Sequence, residues 1–179
     1  MPRKPVARDA VLDAFESLLI EVGERAATLD AVAKRAGVSK GGLLYHFPNK
    51  ESLISALLER LDQLAEEDIE RMQAAPDGSA VYFIRTSLWG GTPMDRAFVA
   101  ATRLAEVAHQ ETRQRFAAIQ QRWLDVLAED VGPEIAKAVS YMGDGLYFNA
   151  MFEGGQEAGN PGREADVEVL LKVLDRLRN

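Results

Sequence analysis

Apolar residues recur at helical spacing along most of this 179-residue chain, and the alternation typical of β-strands is scarce. Val11, Phe15 and Leu18 share one face of a helix over residues 6–22, and Gly23 is a C-terminal stop signal. The pattern therefore predicts an all-α fold. Eight further helices are predicted at residues 29–36, 40–47, 50–72, 79–89, 94–109, 110–129, 133–153 and 164–178.

The composition excludes several classes of site. The chain has no cysteine, so it has no disulfide, thiol nucleophile or zinc-thiolate site. No apolar run approaches the length of a membrane span, and no apolar segment follows the basic N-terminus, so we expect a cytoplasmic protein without a signal peptide. Two distant histidines and the lack of a nucleotide-binding loop argue against an enzyme, and we expect no cofactor or metal. A metal site at Glu106, His109 and Glu111 is the open alternative.

The net charge of −7 is unevenly distributed. It is +1 over residues 1–60 and −8 over residues 61–179. No acidic residue lies between Ala31 and Lys50, where Lys34, Arg35 and Lys40 also occur. Such a stretch suits a surface that faces phosphates, because DNA affinity depends on local charge. A solvated basic face would have the same composition.

Two short predicted helices are joined through the sequence Ala36-Gly37-Val38-Ser39. A helix-turn-helix needs a small residue at the helix crossing, a glycine that tolerates positive φ in the turn, and an apolar residue that packs under it. Ala33, Gly37 and Val38 meet these needs. The second helix starts at Ser39-Lys40-Gly41-Gly42, and its N-terminus is predicted to enter the major groove of DNA.

The segment from Thr28 to Leu53 resembles the tetracycline-repressor (TetR) family. The resemblance rests on the Ala-Gly-Val-Ser turn, the run Tyr45-His46-Phe47 and the run Lys50-Glu51-Ser52-Leu53. It is strong over residues 6–60, and beyond them only helix number and length agree. It implies an N-terminal three-helix DNA-binding domain and a C-terminal helical ligand-binding and dimerisation domain. We expect the domains at residues 1–50 and 76–179, with a connecting helix at 51–75.

The resemblance also implies roles for residues of the helix-turn-helix. Lys40 is expected to donate to guanine, Gly41 and Gly42 to let the backbone approach the bases, and Leu44 to touch a thymine methyl group. Phosphate contacts are expected from Thr28, Ser39, Tyr45, His46 and Lys50. Purely structural roles stay open as alternatives. Thr28 would then only cap a helix, Tyr45 and Phe47 would be core residues, and His46 would be a surface histidine.

In the C-terminal half, an apolar stripe on the last helix is the expected homodimer interface, and an intramolecular core is its alternative. The stripe consists of Val167, Leu170, Leu171, Leu174 and Leu177. A pocket for a small molecule is expected among Phe83, Trp89, Phe98, Phe116, Trp123, Tyr141, Tyr147 and Phe148. Asp144 lies inside an apolar helix, so it needs an arginine such as Arg85 or Arg103, water, exposure, or a ligand donor.

These expectations combine into a homodimeric transcriptional regulator. It would repress by binding operator DNA and leave the operator when a small apolar or amphipathic molecule binds. A helical protein-interaction module without DNA binding is the first alternative, and an enzyme is the second.

Overall fold

The computed structural model describes residues 5–106, 110–152 and 161–179, and these ranges contain nine α-helices and no strand. The all-α prediction is confirmed. The helices are α1 (Pro5–Val22), α2 (Leu29–Ala36), α3 (Lys40–His46), α4 (Lys50–Gln73), α5 (Ser79–Thr86), α6 (Pro93–Glu106), α7 (Gln110–Val131), α8 (Pro133–Phe152) and α9 (Pro161–Arg178).

Most helix ends agree with the sequence signals. Gly23, Gly37 and Gly132 have positive φ values just beyond α1, α2 and α7, as expected of glycine C-caps. The end of α5 is different, because the helix stops at Thr86 and not near residue 89. Helix α9 begins at Pro161, three residues before the predicted start at residue 164, and proline suits the first position of a helix.

The first of two compact units is formed by Met1–Leu64 and Pro93–Phe116. Helix α1 supplies Val11, Phe15 and Leu19 to its buried interior. Leu43 and Phe47, from α3 and the residue after it, are also buried. Helices α2 and α6 both pack against α1, so α6 and the start of α7 belong to the same unit as the helix-turn-helix.

The second compact unit is formed by Ala65–Thr92 and Ala117–Asn179. Helix α8 packs against α5 and α9, and the unit has its own apolar core. Gly143 marks a close approach, because a Cβ atom there would clash with Cε1 of Phe83. The predicted domain boundary near residue 76 differs from this division of the chain, because it assigns α6 to the C-terminal domain.

A buried carboxylate connects three helices of the first unit. Glu16 on α1 is only 2% exposed and accepts a hydrogen bond of 2.7 Å from Arg60 on α4. Arg96 on α6 lies 3.8 Å from the same carboxylate and donates to Ser17 Oγ at 2.7 Å. Burial raises the pKa of Glu16, and the hydrogen bond and charge of Arg60 oppose that rise without cancelling it. The charged form of the buried Glu16 carboxylate is therefore stabilised by both Arg60 and Arg96.

We expect Arg60→Met to destabilise the protein by about 2–3 kcal/mol at neutral pH. This is below the cost for a fully buried pair, because the Arg60 side chain is 23% exposed. Without Arg60 the pKa of Glu16 should rise further above its value in the unfolded chain. The folded state would then hold the extra proton, so the loss should shrink as the pH falls through the folded-state pKa. Urea titrations from neutral to acidic pH measure this.

The matched control is Arg115→Met in the same unit. Arg115 pairs at 2.9 Å with Asp62, whose side chain is 43% exposed, so we expect a loss of about 0–1 kcal/mol with little pH dependence. Equal losses for the two variants at every pH would contradict the role given to Glu16.

Candidate nucleic-acid interface and effector region

The turn between α2 and α3 has the geometry of a helix-turn-helix. Thr28 caps α2, and its hydroxyl accepts a hydrogen bond of 3.2 Å from Ala31 N. Gly37 has φ +68°, and its N–H bonds back to the last turn of α2. Val38 N donates to Ala33 O at 3.0 Å, which closes the turn. The capping role of Thr28 and the positive φ of Gly37 were both predicted.

Helix α3 has one buried face and one exposed face. Ser39 caps it by accepting a hydrogen bond of 3.1 Å from Gly42 N. Leu43 is buried, and so is Phe47, the C-cap residue of α3. Phe47 is therefore a core residue, which was the alternative left open for it. The exposed face carries the predicted base-contacting and phosphate-contacting side chains. Exposed residues are Ser39, Lys40, Gly41, Gly42, Leu44 and Tyr45, and His46 is half-buried.

The exposed face of α3 is open at its N-terminal end. A Cβ atom on Gly41 would meet no other atom within 4 Å. Tyr45 is 71% exposed, which removes the core role as its explanation, and its ring lies edge-on to His46 at 5.1 Å. The arrangement leaves backbone and side chains of α3 accessible to a large partner such as DNA.

Acidic residues from earlier in the chain pair with the basic residues of this region. Lys40 Nζ lies 2.9 Å from Asp30 Oδ1. Lys50 Nζ donates to Glu24 twice, at 2.7 Å to the backbone oxygen and at 2.5 Å to the carboxylate. Arg35 pairs with Glu21. Residues 31–50 contain no acidic residue, but the fold places carboxylates from residues 21–30 next to their basic side chains.

In the second unit, two aromatic pairs lie among the predicted effector residues. Phe83 and Trp123 have ring centroids 6.4 Å apart, and Trp89 and Tyr147 have centroids 6.1 Å apart. Phe83 and Trp123 pack against the apolar core. Trp123 Nε1 also donates to Asp68 Oδ2 at 3.1 Å, a contact with a residue that the sequence gave no reason to select.

Four other predicted effector residues are in different surroundings. Phe98 and Phe116 belong to the first unit, where they contact each other with ring centroids 4.6 Å apart. Tyr141 and Phe148 are 64% and 47% exposed on α8. A cleft of about 470 Å³ in the first unit, lined by residues 20–25 and Arg103, contains none of the predicted residues.

Asp144 is half-buried on α8 beside the close contact of Gly143 with α5. Within the described ranges, no hydrogen bond or ion pair reaches its carboxylate, and Arg85 instead lies 3.7 Å from Glu168. Desolvation raises the pKa of Asp144, and the charge of Lys137 opposes that rise to a smaller extent. The pairing with Arg85, one of the predicted alternatives, is therefore not formed, and contact with a ligand donor stays a prediction.

The predicted dimer stripe on α9 needs a correction. Val167 and Leu174 are buried in the chain's own core, and Leu170 and Leu171 pack partly against it. Leu177 is 42% exposed, and Val169, which was not predicted, is 55% exposed. The outward apolar surface of α9 is thus offset from the predicted stripe.

Two negative findings apply to the described part of the chain. It contains no group of three metal-ligating side chains, although His109 and the side chain of Glu106 lie outside it. Among its helices, none combines the length and apolar character needed to cross a membrane.

Comparison with known families decides the class of this protein. The model of the family described as "Bacterial regulatory proteins, tetR family" matches residues 11–57, which include the whole helix-turn-helix. "Tetracyclin repressor-like, C-terminal domain" matches residues 77–175. The chain belongs to the TetR family. It is therefore a DNA-binding transcriptional regulator and not an enzyme, as predicted.

Individual relatives agree with this assignment. The HTH-type transcriptional regulator BetI of Klebsiella pneumoniae (strain 342) is 27% identical over 166 residues, covering 84% of this chain and 85% of BetI. NalD of Pseudomonas aeruginosa, the secondary repressor of the MexAB-OprM multidrug efflux pump, has a TM-score of 0.67, with 21% identity and 95% and 94% coverage of the two chains. The multidrug binding protein EbrR in complex with malachite green has a TM-score of 0.64, 22% identity and 98% coverage of both chains.

The different environments of Lys40 and Lys50 generate a prediction. Lys40→Ala should weaken operator binding by about 1–3 kcal/mol and relax preference at one base position, if it reads guanine. Lys50→Ala should also lower the melting temperature, because the side chain is only 24% exposed and holds the start of α4 to Glu24. Gel shifts on operator and random duplexes, with thermal melts, separate the two. Equal stability of both variants would contradict the structural role of Lys50.

Proposed function

We propose that this TetR-family protein is a repressor that binds a near-palindromic operator as a homodimer and leaves it when a small molecule binds. The observation that carries the proposal is α3, which is anchored by Leu43 and Phe47 and exposes Lys40, Leu44 and Tyr45 to solvent. A short helix that is packed on one face and presents its other face to solvent is what major-groove recognition requires. We assign DNA binding to residues 1–50, connection to 51–75, and effector binding and dimerisation to 76–179.

The proposed DNA contacts follow from the chemistry of the exposed side chains. Lys40 donates to guanine O6 or N7, and Leu44 packs on a thymine methyl group. The glycines at positions 41 and 42 let the helix backbone approach the bases. Contacts to phosphates come from Thr28, Ser39, Tyr45, His46 and Lys50. A protein that works on bacterial operators in this way resides in the cytoplasm.

Dimerisation is supported by apolar side chains that α8 and α9, which pack on each other, present to solvent. Tyr141 and Phe148 are exposed on α8, and Val169 and Leu177 are exposed on α9. Isologous pairing of this surface, which we call the α8/α9 face, would bury all four in a homodimer. Two recognition helices would then meet two half-sites on one side of the DNA.

The effector is proposed to be a small apolar or amphipathic molecule bound in the second unit. Trp89 and Tyr147 are both half-buried and contact each other, and among the described residues neither is part of the apolar core that Phe83 and Trp123 pack against. Asp144 lies one helical turn from Tyr147 and would accept a hydrogen bond from the ligand. Malachite green bound to EbrR, and the role of NalD at a multidrug efflux pump, support a ligand of this kind.

Operator binding and assembly are tested together. The wild-type protein should select two half-sites in inverted orientation from a random DNA pool and scatter light as a dimer. Val169→Glu combined with Leu177→Glu should give folded monomers that lose binding to the full site, because buried unpaired charges oppose pairing. Val22→Glu is the control, since Val22 is equally exposed, at 55%, but lies on α1. A dimeric double variant would refute the α8/α9 face as the interface.

The effector site is tested with malachite green as the probe. Trp89→Ala should abolish the rise in melting temperature that the dye produces in the wild type, with a stability cost below about 1 kcal/mol. Trp123→Ala should cost about 3 kcal/mol, because it removes core packing and the hydrogen bond to Asp68. If Trp89→Ala leaves the dye response intact, the site does not include this aromatic pair.

A further inference from the structure

Lys40, the proposed base-reading side chain, is already engaged by a carboxylate on the neighbouring helix. Its Nζ atom lies 2.9 Å from Oδ1 and 3.1 Å from Oδ2 of Asp30. Asp30 occupies the first turn of α2, and Lys40 is the first residue of α3. Asp30 therefore places a negative charge directly beside the end of α3 that enters the groove.

This ion pair adds little to the stability of the fold. The two side chains are 56% and 72% exposed, and ion pairs of such exposure contribute little free energy to folding. The turn does not need the pair, because Thr28 and Ser39 cap the two helices through separate hydrogen bonds. Asp30 also lies in the first turn of α2, where a carboxylate interacts favourably with the helix dipole, but that role does not require a contact with Lys40.

The second lysine pair of the region is a useful contrast. The side chains of Lys50 and Glu24 are 24% and 20% exposed, and Lys50 also donates to the Glu24 backbone. That pair holds two segments of the chain together. Lys40 and Asp30 instead form a contact that a nucleic acid can reach and break.

We propose that Asp30 is a specificity-determining residue that acts through Lys40. This inference rests on the proposed function, in which Lys40 reads guanine. An ammonium group has three N–H donors, so Lys40 can keep its bond to Asp30 while it donates to a guanine acceptor. If Lys40 instead leaves Asp30 to bind a phosphate, the bond between Lys40 and Asp30 is lost. The Asp30 carboxylate also repels the phosphate. Asp30 therefore weakens binding to random DNA more than binding to the operator.

The test compares the wild type with Asp30→Asn on the operator selected from a random pool and on a random duplex, over a range of salt concentrations. Asp30→Asn should bind random DNA about fivefold more tightly, the upper end of what an exposed ion pair contributes. Its salt dependence on random DNA should steepen by about one unit, because the freed lysine neutralises one more phosphate. Operator affinity should change by less than about twofold, so the specificity ratio should fall severalfold.

Two further variants decide whether the effect runs through Lys40. Glu51→Gln removes an equal charge from an exposed carboxylate in the first turn of α4, and it should leave the specificity ratio unchanged. In a Lys40→Ala background, Asp30→Asn should no longer change the ratio. A change of equal size in that background, or equal tightening on both DNAs, would overturn the inference and leave the proposed function standing. Failure of the wild type to select any sequence would overturn both.

Discussion

The recognition helix α3 cannot be stable without the rest of the first unit. It has seven residues, two of them the adjacent glycines 41 and 42, and helices this short and glycine-rich do not persist in water. Its shape depends on the burial of Leu43 and Phe47 and on the cap formed by Ser39. Tertiary packing thus replaces helix propensity. The glycines are tolerated because the stability of α3 comes from its packed face, and they lie on the exposed face that we propose to contact DNA.

Because α3 depends on the packing of the first unit, the ion pairs that hold the segments of this unit together also matter for α3. Glu16 is almost fully buried, and arginines from α4 and α6 approach its carboxylate, so three helices share one interaction. The Lys50–Glu24 pair joins the start of α4 to the loop before α2. The arginines around Glu16 thus serve the fold, whereas Lys50, a proposed phosphate contact, would serve both the fold and DNA binding.

Local patterns predicted the local features of this fold. Thr28, Ser39 and Gly37 act within a few residues along the chain, so their capping and turn roles are visible in the sequence. The partners of Lys50 could not be predicted, because Glu24 is 26 positions away and only folding brings the two together. The surroundings of Phe98 could not be predicted either, since helical spacing shows that α6 buries a face but not which helices cover it. Membership of the TetR family came from the turn motif, where spacing and chemistry act together.

Helix α9 shows a different limit of periodicity. Its apolar positions occupy more than one face of the helix, and the spacing alone assigns no direction to any of them. The structure turns Val167 and Leu174 toward the chain's own core, which leaves Val169 and Leu177 outward. The neighbouring helix α8 meets a steric constraint instead, because a Cβ atom at position 143 would clash with the side chain of Phe83 on α5. Asp144, the next residue along α8, is half-buried. A small residue thus lets α8 approach α5 closely beside the carboxylate that we propose as an effector contact.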